Sequence, residues 1–156
     1  TDAAGNVTTV NFVIDKVAPV VTGVTEGGMY KEKVTVSFNE GTAKLNGATF
    51  TSGTDVIQDG TYKLIVTDAA GNVTTVIFVI DKVAPIVTGV ADGEIYKEKV
   101  TVSYNEGTAT LNGTAFISGT EVIQDGTYKL VVTDAAGNVT TVNFVIDKVA
   151  PVVTGV

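Results

Sequence analysis

The sequence predicts an all-β protein made of small tandem β-sandwiches, each of six or seven short strands, joined into a rod. Three observations carry this. The 156-residue chain repeats itself every 66 residues: TDAAGNVTT begins at Thr1, Thr67 and Thr133, and DKVAP at Asp15, Asp81 and Asp147. Val, Thr and Gly dominate, and branched side chains suit a pleated surface better than a helix. Short alternating apolar runs are separated by turn residues, the pattern of a sandwich.

The repeat sets the domains. Residues 17–82 and 83–148 are complete units and differ at only 13 of 66 positions. Residues 1–16 read as the final-strand fragment of a preceding repeat, and residues 149–156 as the first-strand fragment of a following one. The first 24 residues are identical to the last 24. The chain is therefore expected to be a window on a longer array, whose full period is 132 residues with two slightly different bricks alternating. Arrays of this kind serve reach or multiplicity more often than a single active site.

Within one unit the elements follow in order. Asp15-Lys16-Val17-Ala18-Pro19 is the junction, stiffened by a proline that cannot serve a central ladder. Val20–Val24 is a short strand and Glu26-Gly27-Gly28 a turn. Lys33–Phe38 alternates strictly, so Val34, Val36 and Phe38 face inward. Thr42–Leu45 and Ala48–Thr51 flank Asn46-Gly47, a strong hairpin signal because both residues tolerate positive φ. A short strand surrounds Val56 and Ile57. Tyr62–Val66 follows, with Tyr62, Leu64 and Val66 inward. Asp68–Asn72 is a turn, and Val73–Ile80 closes the unit with Val76, Phe78 and Ile80 inward and position 77 outward. By the same pattern, Val7–Ile14 is a lone final strand.

Composition excludes several functions. The chain has no Cys, His, Trp or Arg. It lacks a disulfide framework, a thiol nucleophile and the commonest general base. A small extracellular domain without disulfides fits a bacterial surface or secreted protein better than an animal one. The net charge is −7, with five lysines against seven acids in the first unit and four against eight in the second. No basic patch serves nucleic acid, and no apolar run is long enough for a membrane span.

Two stretches carry a family resemblance. Gly60-Thr-Tyr62-Lys-Leu64-Ile-Val66-Thr-Asp68-Ala-Ala-Gly71-Asn72 and Asp81-Lys-Val-Ala-Pro85, repeated from Gly126 to Asn138 and from Asp147 to Pro151, are similar to bacterial immunoglobulin-like repeats of surface proteins and adhesins. The resemblance implies Ig-like sandwiches, a place outside the cell or on its surface, and a role as stalk, spacer or occasional binding module.

The resemblance also implies two site chemistries. Some similar adhesins bind Ca²⁺ at the junctions between repeats, for which Asp15, Asp68, Asn72, Asp81, Asp134, Asn138 and Asp147, with Asp2 and Asn6, supply oxygens. Calcium takes about six to eight oxygens, and Lys16, Lys82 and Lys148 follow the junction aspartates. The simpler expectation is that Asp68–Asn72 is a turn bonding its own backbone. Other surface domains cross-link a lysine to an asparagine beside a buried acid. Lys33, Asn39 and Glu40, or Lys63 and Asn72, supply the residue types, but these lysines fall on outward positions.

The pairs Glu26/Glu32 and Asp55/Asp59 lack a cleft to make them catalytic, so no enzyme is expected. The threonine-rich outer faces reflect strand propensity. The chain is read as a structural stalk or fibre segment projecting a distal domain. Its expected partners are neighbouring repeats and other copies in a fibre. The competing reading is a multivalent adhesive module binding a host protein or glycan through its loops, with Tyr30, Tyr96, Met29 and Ile95 as contact residues.

Overall fold

A computed structural model describes residues 1–155. Among these there is no helix, and hence none able to cross a membrane, and sixteen strands. The chain separates into two compact units. In the first repeat the strands are β1 (Val21–Thr22), β2 (Gly28–Tyr30), β3 (Val34–Phe38), β4 (Thr42–Leu45), β5 (Ala48–Phe50), β6 (Thr54–Val56), β7 (Gly60–Thr67) and β8 (Val73–Ile80). They form a three-stranded sheet, β1-β3-β6, and a five-stranded sheet, β2-β8-β7-β4-β5. The second repeat contains β9 (Val87–Thr88), β10 (Ile95–Tyr96), β11 (Val100–Tyr104), β12 (Thr108–Leu111), β13 (Thr114–Phe116), β14 (Thr120–Val122), β15 (Gly126–Thr133) and β16 (Val139–Ile146). Its sheets are β9-β11-β14 and β10-β16-β15-β12-β13.

Alternation places the core. Val34, Val36, Leu64, Val66, Val76, Phe78 and Ile80 are all buried, and Ile77 is outside, as the period of two demands. With Val24, Ala43 and Val56 they make ten buried apolar residues, and the same ten recur one period later. All thirteen differences between the repeats fall on exposed or half-buried positions. Phe78 stacks on Tyr62, with ring centroids 5.3 Å apart, and Phe144 on Tyr128 at 5.2 Å. At the hairpin, Asn46 takes φ 49° and Gly47 φ 86°, which gives the mirror-image turn that matches strand twist.

Seven of the eight strands in each repeat fall on the runs marked out by alternation and turn residues. The eighth, β2, was not expected. Gly28-Met29-Tyr30 shows no alternation, and in the second repeat its counterpart β10 pairs parallel with β16, Ile95 opposite Val145. A second departure is larger. Val7–Ile14 has the same sequence as Val139–Ile146, yet it forms no strand and Phe12 is 79% exposed, against 1% for Phe144. Strand β16 lies between β10 and β15. Residues 7–14 have no such neighbours, and a single extended segment cannot satisfy its backbone by itself.

Candidate functional site

The chemistry-bearing residues converge on the turn between the last two strands of each repeat. The Asp68 carboxylate accepts three bonds there. Its Oδ1 accepts from the N–H of Ala70 (2.9 Å) and of Asn72 (2.8 Å), and its Oδ2 from the side-chain amide of Asn72 (2.8 Å). Its own N–H donates to the Asn72 carbonyl at 3.1 Å. Gly71 turns the chain at φ 91°. This is an Asx turn with a second, side-chain bond added. The same bonds form at Asp134–Asn138 and at Asp2–Asn6. The turn is therefore locally encoded, since the Asp2 copy stands beside a segment that forms no strand.

Within a sandwich the turn also reaches a distant segment. The Asn72 amide donates to the carbonyls of Asp15 (3.2 Å) and Val17 (3.3 Å), and that of Asn138 to the Asp81 carbonyl at 2.8 Å. The Asn72 nitrogen must face this way because its neighbours are a carboxylate and two carbonyls, all acceptors. The hydroxyl of Thr74 donates to the Pro19 carbonyl, and that of Thr140 to Pro85. The Val20 N–H donates to Asn39 Oδ1 at 2.7 Å, and the Ile86 N–H to Asn105 Oδ1 at 2.7 Å. Side chains from three places in the sandwich thus hold the segment that leads into its first strand.

The bonds tune the carboxylates. The Asn72 side-chain amide, helped by backbone N–H groups, holds Asp68 below the usual carboxylate range against the opposing effect of burial. At Asp134 burial pushes upward, but the bonds from Asn138 and the turn backbone outweigh it and the net direction is down. Asp92 is lowered by the backbone and then the side chain of Asn143.

The residues expected to supply oxygens for Ca²⁺ make hydrogen bonds to nearby N–H groups. The Asp68 carboxylate accepts from the turn, and Asn72 offers Asp15 an N–H. The carboxylates of Asp15, Asp81 and Asp147 each accept the N–H two residues on, at Val17, Val83 and Val149. Among the described residues no three acidic side chains group around a common point. Of the residues that could form a cross-link, Lys33, Lys63, Asn39 and Glu40 are exposed, and Asn72 is half-buried and bonded to the buried Asp68. The acidic pairs are used singly: Glu26 accepts from the Ile77 N–H (2.7 Å), Asp55 from the Thr35 hydroxyl (2.6 Å), and Asp59 pairs with Lys82 at 3.6 Å. Sequence reasoning overlooked the roles of Thr74 and Asn39. Asn39 read as a cross-link candidate and Thr74 as part of a threonine-rich outer face, and only their partners reveal what they hold.

Two paired sheets of three and five strands, repeated in tandem, define a protein of immunoglobulin-like sandwiches. The chain belongs to the bacterial Ig-like domain family, whose pattern it matches twice, over residues 13–82 and 79–148. It is similar to an outer cell wall protein of Brevibacillus brevis, 38% identical over 96 residues. That match covers 52% of this chain and 9% of the relative. Solved structures with related folds include Dpr11 IG1 bound to DIP-gamma, at 11% identity and a TM-score of 0.36, covering 83% of this chain and 98% of that one. Another is the SGBP-B protein of Bacteroides ovatus in complex with a mixed-linkage heptasaccharide, at 16% identity and a TM-score of 0.28, covering 78% and 42%. Likeness at these scores adds nothing to the assignment.

Proposed function

We propose that the chain is a structural spacer segment of a bacterial surface or secreted protein, a run of bricks that holds a distal domain away from the cell. One observation carries the reading. The segment leading into each sandwich is bonded along its length, at Asp15, Val17, Pro19 and Val20 in the first repeat and at Asp81, Pro85 and Ile86 in the second. Bonds of this kind fix the entry segment against its own sandwich, as a spacer brick requires. Cell-wall placement of the Brevibacillus brevis relative supports the location. No catalysis is proposed, because the acidic pairs serve backbone and neighbouring side chains.

The adhesive reading is weaker. Its aromatic candidates, Tyr30 and Tyr96, are half-buried in β2 and β10, and Tyr96 packs edge-on against Phe144 with centroids 6.2 Å apart. Small-angle scattering on arrays of increasing repeat number tests the spacer. Maximum dimension should grow linearly, by about 35 Å per repeat for strands of this length. A compact, broad distance distribution would sink the proposal. A chelator should leave the profile and the melting temperature unchanged, and stiffening by added Ca²⁺ would instead assign the junctions to the metal.

A further inference from the structure

The two repeats are a natural experiment in edge protection. An edge strand offers unpaired backbone groups, and proteins blunt such edges with charge, proline or brevity. Here β1 and β9 are two residues long and follow Pro19 and Pro85. Asp55 lies in β6 and Glu121 in β14. Glu26 precedes β2, and Asp92 and Glu94 precede β10. At β5 the guard is Lys44, on the neighbouring strand and opposite Thr49. The matching edge β13 has lost it. Lys44 becomes Thr110, and Thr51 becomes Ile117, which is 76% exposed. No charged residue stands between Glu106 and Glu121.

We propose that the β13 edge pairs antiparallel with the β13 edge of a second copy of this chain, extending one five-stranded sheet into the other. Homotypic antiparallel pairing is two-fold symmetric, so each residue type must tolerate its own kind nearby. Like charges opposite one another are destabilising. The second unit carries four lysines against eight acids, and this hairpin is its uncharged edge. With Ala115 on the two-fold axis, Ile117 of each copy lies opposite Gly113 of the other, where no side chain competes for space. The contact is short, and repetition along an array multiplies it. The pairing is independent of the spacer reading.

The chain has no cysteine, so single thiols report proximity without background. Ala115→Cys and Thr49→Cys place one at matching positions of the two edges. Under mild oxidation at equal concentration, A115C should form disulfide-linked dimers on the order of tenfold faster than T49C. Adding Thr110→Lys and Ile117→Thr to A115C should bring its rate down to that of T49C. These substitutions install residues that the first repeat already carries, so they suit the fold. Equal rates for A115C and T49C would overturn the proposal. So would a fast A115C rate that the added pair leaves unchanged, because the contact would then lie elsewhere.

Discussion

At the scale of the residue, one asparagine does two jobs: it closes a turn on an aspartate and grips a carbonyl 57 residues away. Replacing Asn138 by Ala removes both the grip on Asp81 and the side-chain bond to Asp134. At about 1 kcal/mol net for each hydrogen bond the loss is about 2 kcal/mol, which corresponds to roughly 8–16 °C in a domain of this size. Calorimetry should show a loss of that order in the second repeat alone. The lowered aspartates give a pH dependence whose sign is determined. Asp68, Asp92 and Asp134 bind protons less readily folded than unfolded. Their stabilisation is full above the unfolded value, about 3.9, and is lost as pH falls through the lower folded values. Urea midpoints should therefore hold steady above about pH 5 and decline steeply below about pH 4. Asp134→Asn should lower the plateau and flatten the decline. Gly89 has a different constraint. A Cβ there would sit 1.9 Å from the Thr101 carbonyl oxygen, at φ 91°. Gly89→Ala should cost roughly 2 kcal/mol or more, whereas Gly113→Ala, which meets open space, carries only the turn strain.

At the scale of the element, the most instructive comparison lies inside the chain. Val7–Ile14 and Val139–Ile146 are the same eight residues, one exposed and one in β16. Phe144→Ala should destabilise the second repeat by about 3–5 kcal/mol, the cost of emptying a packed aromatic site. Phe12→Ala should stay within about 0.5 kcal/mol, as surface changes do. A single chemical-denaturation series measures both. Alternation made β3, β7 and β8 legible in the sequence, because one face of each is buried and the other solvated. Strand β2 was not legible. Its three residues gain their conformation from β8, a neighbour far along the chain, and no local pattern announces that. The turn at Asp68 was legible as a turn. Its grip on Asp15 and Val17 was not, since a side-chain amide has no sequence signature for a partner more than fifty residues away.

At the scale of the whole molecule, the two repeats share every one of their ten buried apolar residues and differ only nearer the surface. Exposed substitutions usually contribute within about 0.5 kcal/mol each. The repeats should therefore melt in one overlapping transition. Leu64→Ala, which removes a fully buried side chain from the first repeat alone, should cost about 2–5 kcal/mol and split that transition in two. A single transition that merely shifts would mean the repeats unfold as one cooperative body. The divergence that does exist gathers at the edges of the five-stranded sheet, around β2 and β5 and their counterparts. The interior is the same in both repeats, and the exterior is where the two can be told apart.

The sequence by itself determined the period, the all-β class, the inward faces and the Asp–Asn turns. Each of these depends on residues close together in the chain, through side-chain alternation, backbone torsion or a bond spanning four positions. The tertiary structure alone decided whether a strand-forming run becomes a strand, where β2 pairs, and which carbonyls the turn asparagines hold. Those depend on groups that folding brings together, and backbone polar groups take a strand's geometry only when neighbouring strands are present to receive them.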